Sequence, residues 1–96
     1  MKLLFEWDET KANSNLIKHQ ISFDEAKTVF NDPLLLTYRD ELHSEQEERA
    51  ISIGLSTQSR LLLVVHTEQI IQDDTVIIRI ISSSKATTLE RKYYEN

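Results

Sequence analysis

The sequence predicts an α+β domain: an antiparallel sheet of four to five strands, two helices on its N-terminal side and a third helix after the last strand. Three observations carry this reading. Short runs rich in β-branched and apolar residues recur from Leu34 onward with few residues between them. Two cap-like residues, Asp8 and Ser22, each precede a stretch with helical spacing. Thr87 and Glu90 form the Thr-x-x-Glu signature of a helix start beyond the last run. With 96 residues and 40% hydrophobic content the chain supports one core, so residues 1–96 read as a single domain.

Leu3 to Trp7 is apolar and aromatic enough for a short first strand, ended by Asp8. Asp8 is the expected N-cap of a helix with an apolar stripe at Ala12, Leu16 and His19; Asn13 and Asn15 lower its propensity, so it depends on packing. Ser22 caps a second helix through Phe30, with Glu25 completing a capping box, and Asn31-Asp32-Pro33 ends it. Leu34 to Tyr38 is a second strand, followed by an acidic, solvated loop over residues 39–48. Arg49 to Leu55 alternates as a half-buried strand, Ser56 to Ser59 turns, and Arg60 to Thr67 is a continuous apolar strand. Residues 68–74 read as a loop. Thr75 to Ile81 is a core strand placing Val76, Ile78 and Ile80 on one face and Ile77, Arg79 and Ile81 on the other. The closing helix starts among Ser82 to Ser84 or at Thr87, and its packed face is Ala86, Leu89 and Tyr93. Short connections between successive strands favour an antiparallel meander.

The chain has no cysteine, which excludes a disulfide framework and thiolate metal sites. The N-terminus turns acidic too soon for a signal peptide, and no run approaches the roughly 20 apolar residues that span a bilayer, so a cytoplasmic protein without a membrane partner is expected. A net charge of -5 argues against a surface that grips nucleic acid all round. The charge is uneven, however. Asp24 to Glu48 holds eight acids against two bases, whereas Thr75 to Asn96 holds four bases against two acids. That pattern suits a local anion site on an acidic surface.

A guanidinium in the middle of a core strand needs either a carboxylate or an open cleft, and for Arg79 both remain open at this point. His43, near Glu45 and Glu47, matches no established metal spacing and reads as a solvated loop residue; His66 reads as a hydrogen-bonded core histidine, and Trp7 as a core aromatic. His19, after Lys18 at the end of the first helix, is the candidate for proton transfer. Arg49 and Arg79 both come from strands. On one side of the sheet, beside a histidine, they suit binding a phosphate and stabilising charge that builds on it. RNA fits such a site because its own 2′-hydroxyl attacks the neighbouring phosphorus once a base takes its proton; neither metal nor cofactor is needed. Ion pairs of the arginines with Glu47 and Glu48 are the structural alternative.

Phe5-Glu6-Trp7-Asp8, Lys11, Asn15, Lys18-His19-x-Ile21-x-Phe23-x-x-Ala26 and Val29-Phe30-x-Asp32-Pro33 resemble the start of the BrnT family of bacterial type II toxins. Later stretches agree in order and spacing: Glu48-Arg49 with Ile53-Gly54, Leu62-Leu63-Val64-Val65-His66-Thr67, Ile78-Arg79-Ile80-Ile81-Ser82, Lys85-Ala86-Thr87, Glu90 and Tyr93. The resemblance covers almost the whole chain. It implies a RelE-like fold, an endoribonuclease that inhibits translation, and a BrnA-like antitoxin with a ribbon-helix-helix region. Toxin and antitoxin then form a hetero-oligomer that reaches operator DNA through the antitoxin. Carried over onto matching positions, His19 is implied as acid or base, Glu48 as base or arginine orienter, Arg49 and Arg79 as phosphate clamps, and Lys18 and Lys85 as substrate-binding cations. The family usually places Ala-Arg before Lys-Ala-Thr, where this chain has Ser83-Ser84, and the departure implies weaker RNA binding or catalysis. The alternative from another class is a non-catalytic module that binds a ribbon-helix-helix antitoxin and acts as co-repressor.

Overall fold

A computed structural model describes residues 1–44, 47–72 and 74–96. Strands β1 (Lys2–Glu6), β2 (Leu36–Arg39), β3 (Ala50–Leu55), β4 (Leu61–Gln72) and β5 (Thr75–Lys85) form one sheet in the order β1-β5-β4-β3-β2. Helix α1 (Glu9–His19) and the single turn α2 (Phe23–Ala26), which tightens into a 3-10 helix over Lys27–Asn31, connect β1 to β2; α3 (Thr88–Glu95) follows β5. β2 to β5 are an antiparallel meander. β1 departs from the expected all-antiparallel sheet: it pairs in parallel with β5, Leu3 opposite Val76 and Glu6 opposite Arg79. Its partner is not a sequence neighbour, so no hairpin dictates its direction.

Residues 68–72 belong to a strand rather than a loop, and β5 runs through all three serines, because β4 and β5 pair from Leu62–Lys85 to Gln72–Thr75. Asp73 lies outside the described residues. The helix expected from Ser22 is capped by the Ser22 Oγ, which accepts from Glu25 N at 3.0 Å, yet its capping box is half made. The Glu25 carboxylate turns instead to Arg60 and Ser56. At Thr87 both halves form: Glu90 N donates to Thr87 Oγ1 at 3.2 Å and Thr87 N to Glu90 Oε1 at 2.8 Å, which starts α3 after the serines.

One sheet face carries the core. Val76, Ile78 and Ile80 of β5 and Leu62 and Val64 of β4 are buried with Ile21, Phe23, Ala26 and Val29, and Trp7 packs edge-on to Phe23 at 5.8 Å. A Cβ on Gly54 would come within 2.9 Å of Leu35 and 3.0 Å of Val29, so the 3-10 segment lies directly on the β3 backbone. Helix α1 docks in an unexpected way. Its buried residue is Asn15, while Leu16 and Ile17 are exposed. Asn15 Nδ2 donates to Ser83 O and Ile21 O, both at 2.9 Å, and Oδ1 accepts from Ser83 N at 3.0 Å. β1 pairs with β5 only as far as Arg79, and beyond it this amide takes the place of a neighbouring strand.

On the other face α3 packs over β3, where Ile53 is buried. Leu89 and Tyr93, the expected packed residues, are 59% and 51% exposed. The anchor is Tyr94, whose hydroxyl donates to Asp32 at 2.6 Å. Asp32 also accepts from Leu34 N at 2.9 Å and Leu55 N at 2.8 Å. Burial pushes its carboxyl up, but these bonds outweigh that and hold it below the ordinary range, while the same contact pushes the Tyr94 hydroxyl up to about 12.

His66 is fully buried, as expected of a core histidine. Its Nε2 lies 2.7 Å from Ser52 Oγ, itself 2.7 Å from Thr37 Oγ1, and its ring meets Phe30 edge-on at 5.0 Å. Burial lowers its pKa to about 4 from an ordinary 6.5. In that interval the unfolded chain takes up a proton that the folded chain refuses, so acidification across it removes about 3 kcal/mol of stability. Urea unfolding at pH 7, 5.5 and 4 should show this loss, and His66→Gln should lack it.

Candidate functional site

Arg79 projects from the face opposite the core. Alternation and register put Leu4 and Glu6 of β1, Ile77, Arg79 and Ile81 of β5, and Val65 and Thr67 of β4 on that face. These residues are half-buried or exposed, whereas their core-facing neighbours on β4 and β5 are buried as far as His66 and Ile80. Arg79 Nη1 donates to Glu6 Oε2 at 3.0 Å. Both side chains are about half exposed, 42% and 50%, so the pair contributes little stability and leaves the guanidinium able to turn to another anion. The two sequence alternatives for Arg79, ion pair and open surface, are thus both realised.

The register extends this contact into a row. Thr67 is opposite Arg79, and its neighbour His66 is opposite Ala50, which puts Arg49 in line with Thr67 and roughly 10 Å, two strand spacings, from Arg79. Asp40 N donates to Arg49 O at 2.8 Å, continuing the line. Glu6, Arg79, Thr67, Arg49 and Asp40 therefore cross the whole sheet. Arg49 Nε is buried without a hydrogen-bond partner among the described residues; Glu47 Oε1 stands 3.5 Å away. Glu48 does not pair with Arg49. It takes Arg39 Nε at 2.9 Å and Nη2 at 3.2 Å, which holds its carboxyl below the usual range, and Glu41 takes Arg39 Nη1 at 2.6 Å.

Lys18 and His19 end α1, where the helix dipole favours cations. With Lys11, Ser14, Ile81 and Ser82 they line an open cleft of about 240 Å³. Ile81 follows Arg79 by two residues on the same strand, so this cleft adjoins the row at β5. Lys85 is exposed, opposite Leu62 on the far end of β5, and lies outside the row. Ser84, where the resemblance leads one to expect arginine, is opposite Leu63 and shares the face of Arg79. Ser83 points inward with its backbone held by Asn15.

The sequence reading passed over one constellation. His43 Nδ1 lies 3.1 and 3.3 Å from the two oxygens of the buried Asp40 carboxylate, and His43 N donates to Asp40 O at 3.3 Å. A ring nitrogen facing a carboxylate carries the proton, which leaves Nε2 of the neutral ring as an acceptor. Ser44 Oγ ties this turn to Arg49, donating to Asp40 O at 2.7 Å and accepting from Arg49 N at 3.1 Å. The available signal was the Asp-x-x-His spacing, overshadowed by Glu47 and by Glu45, which lies outside the described residues.

A family model described as the ribonuclease toxin, BrnT, of type II toxin-antitoxin system matches residues 7–90. Among solved structures, the crystal structure of the Brucella abortus ribonuclease toxin, BrnT, is similar with a TM-score of 0.59 at 17% identity, covering 92% of this chain and 100% of that one. At that identity the likeness is one of fold: α+β, with a five-stranded sheet and three helices. No curated protein matches the sequence.

Proposed function

The chain belongs to the BrnT family of ribonuclease toxins of type II toxin-antitoxin systems, and from that premise we propose that residues 1–96 form one RelE-like domain that cleaves RNA without a metal and inhibits translation. Arg79 leaves Glu6 to hold the scissile phosphate and neutralises the phosphorane that forms when the 2′-oxygen attacks phosphorus and the bond to the 5′-oxygen breaks. Arg49 holds the backbone two strand spacings along the row, beyond Thr67. Lys18, with Lys11, guides the strand into the cleft of His19, and Lys85 steers it from further out. His19 exchanges protons with the attacking and leaving oxygens. His43, oriented by Asp40, is the rival acid–base group at the Arg49 end, and the two stand too far apart across the sheet to serve one phosphate. Glu48 acts as an arginine orienter, of Arg39. The partner is a BrnA-like ribbon-helix-helix antitoxin that forms a hetero-oligomer with the toxin and carries it to operator DNA. We place the reaction in the cytoplasm; among the described residues no helix is long and apolar enough to cross a membrane.

The observation that carries this reading is Arg79 on an open face with, among the described residues, a single half-exposed carboxylate for a partner. Its test is cleavage of a long RNA in excess EDTA. Cleavage should persist in EDTA and fall by about 100-fold in Arg79→Ala, with the unfolding midpoint unchanged. Loss of cleavage in EDTA, or equal rates in the variant, would overturn it. Of His19→Gln and His43→Gln, the one that flattens the pH–rate profile identifies the acid–base group.

Ser84 favours a second reading, the weakened toxin that works as co-repressor, because it removes a cation from the face of Arg79. Under the enzymatic reading Ser84→Arg should raise the rate about fivefold and steepen its salt dependence. Antitoxin binding with no cleavage by the parent or by Ser84→Arg would favour the co-repressor.

A further inference from the structure

β4 is 12 residues long and β3 only six, and β3 covers β4 from Leu61 to His66. Beyond that point Thr67–Gln72 pairs with β5 on one side, Thr67 opposite Arg79 and Gln72 opposite Thr75. Its other side has no backbone partner among the described residues. This is roughly 20 Å of strand edge. Ile70 and Ile71 on it are 76% and 44% exposed. Edges of this kind are usually blunted by lysine or proline, and Thr67-Glu68-Gln69-Ile70-Ile71-Gln72 contains neither, the one irregularity being a register shift at Ile71.

Building on the toxin reading, we propose that Thr67–Gln72 is the docking edge for an extended, lysine- or arginine-bearing segment of the antitoxin, which adds to the sheet as a strand in line with β3. Charge selects the occupant. Glu68 lies on the edge and Asp74 at its turn, and at the adjoining end of β3 Glu41, Glu47 and Glu48 outnumber Arg39 and Arg49, the two arginines they pair with. A cationic segment is attracted to that field. A second copy of this chain would set the same acids against themselves, and RNA would be repelled. The edge also begins at Thr67, between Arg79 and Arg49, so a segment running along it and on toward Arg49 closes the row with the same residues that bind it.

The test is hydrogen exchange of the full chain, alone and with a purified BrnA-like ribbon-helix-helix antitoxin, together with the exposed double variant Ile70→Lys/Gln72→Lys. Outward amides within residues 67–72 should gain protection in the complex. The double variant should bind at least tenfold more weakly while cleaving RNA at the parental rate. Protection in 67–72 that rises with toxin concentration alone would assign the edge to a second copy, and protection by RNA alone would assign it to substrate; either result overturns the proposal. A complex that leaves 67–72 unprotected also overturns it but keeps the toxin reading, whereas failure to form any complex removes the partner reading as well.

Discussion

Replacing Arg60 by alanine is expected to lower the unfolding midpoint by about 12 °C or more. Glu25 is only 4% exposed, and its carboxylate accepts from Arg60 Nε at 2.9 Å, from Arg60 Nη2, and from Ser56 Oγ at 2.7 Å. Arg60 Nη2 also donates to Gln20 O at 3.3 Å, so one guanidinium joins the end of α1, the start of α2 and the turn between β3 and β4. The Arg60 hydrogen bonds, opposed by burial and aided by Ser56, hold the Glu25 carboxyl below its usual range. Removing the guanidinium leaves a buried carboxylate unpaired, a change that costs about 3–5 kcal/mol. That is a large share of the roughly 5–15 kcal/mol that stabilises a domain, and each kcal/mol moves the midpoint of one this size by about 4–8 °C.

The pH dependence distinguishes this cause from lost packing. In the parent the Glu25 contribution is complete above the unfolded value near 4.5 and disappears as pH falls through the lower folded value. In Arg60→Ala burial is opposed only by the weaker effect of the Ser56 hydrogen bond and raises the carboxyl, so the variant should recover part of its deficit between pH 7 and 5. The double variant Arg60→Ala/Glu25→Leu should be more stable than Arg60→Ala. Thermal unfolding of the three proteins at both pH values decides it; a deficit that ignores pH would mean that the guanidinium stem, not the charge, is what matters.

Asn15→Ala is expected to cost about 3–5 kcal/mol through a different route. Its amide satisfies Ser83 N, Ser83 O and Ile21 O inside the protein, and alanine leaves all three without that partner. Each buried group so abandoned costs about 1–3 kcal/mol, less where the site relaxes. Asn13, two residues earlier and exposed, provides the control, with a change within about 0.5 kcal/mol on going to alanine. Exchange of the Ser83 amide should accelerate toward the global rate in Asn15→Ala. A loss under about 1 kcal/mol would show that water replaces the amide without difficulty.

Sequence pattern reached those features whose partners are local. The Thr87–Glu90 box closes over three residues and was legible as such. Ser22 and Glu25 have the same spacing, but a cation 35 residues away draws the carboxylate off, and no local pattern reports that. Alternation exposed Arg79 as the anomaly of its strand. Its partner Glu6 is 73 residues distant in a parallel pair, which leaves no hairpin or turn signal to read. Residues 68–72 lack apolar alternation and are strand only because β5 templates them. Helical spacing put Leu89 and Tyr93 on the packed face of α3, one position from Tyr94, whose hydrogen bond to Asp32 sets the helix's rotation. His43 looked solvated because its ring is exposed; only its Nδ1 edge meets Asp40.

The parallel pairing of β1 with β5 has a consequence for the life of the nascent chain. Until β5 has been synthesised, β1 has no strand to join and Asn15 no edge to close, so the first helix and strand wait unpaired until then. Contacts of such long sequence separation form late and slowly. Arg79, Glu6 and the His19 cleft are assembled in that same final event. If Arg79 clamps the phosphate as proposed, the cleaving face is incomplete until the strand bearing Arg79 has joined the sheet.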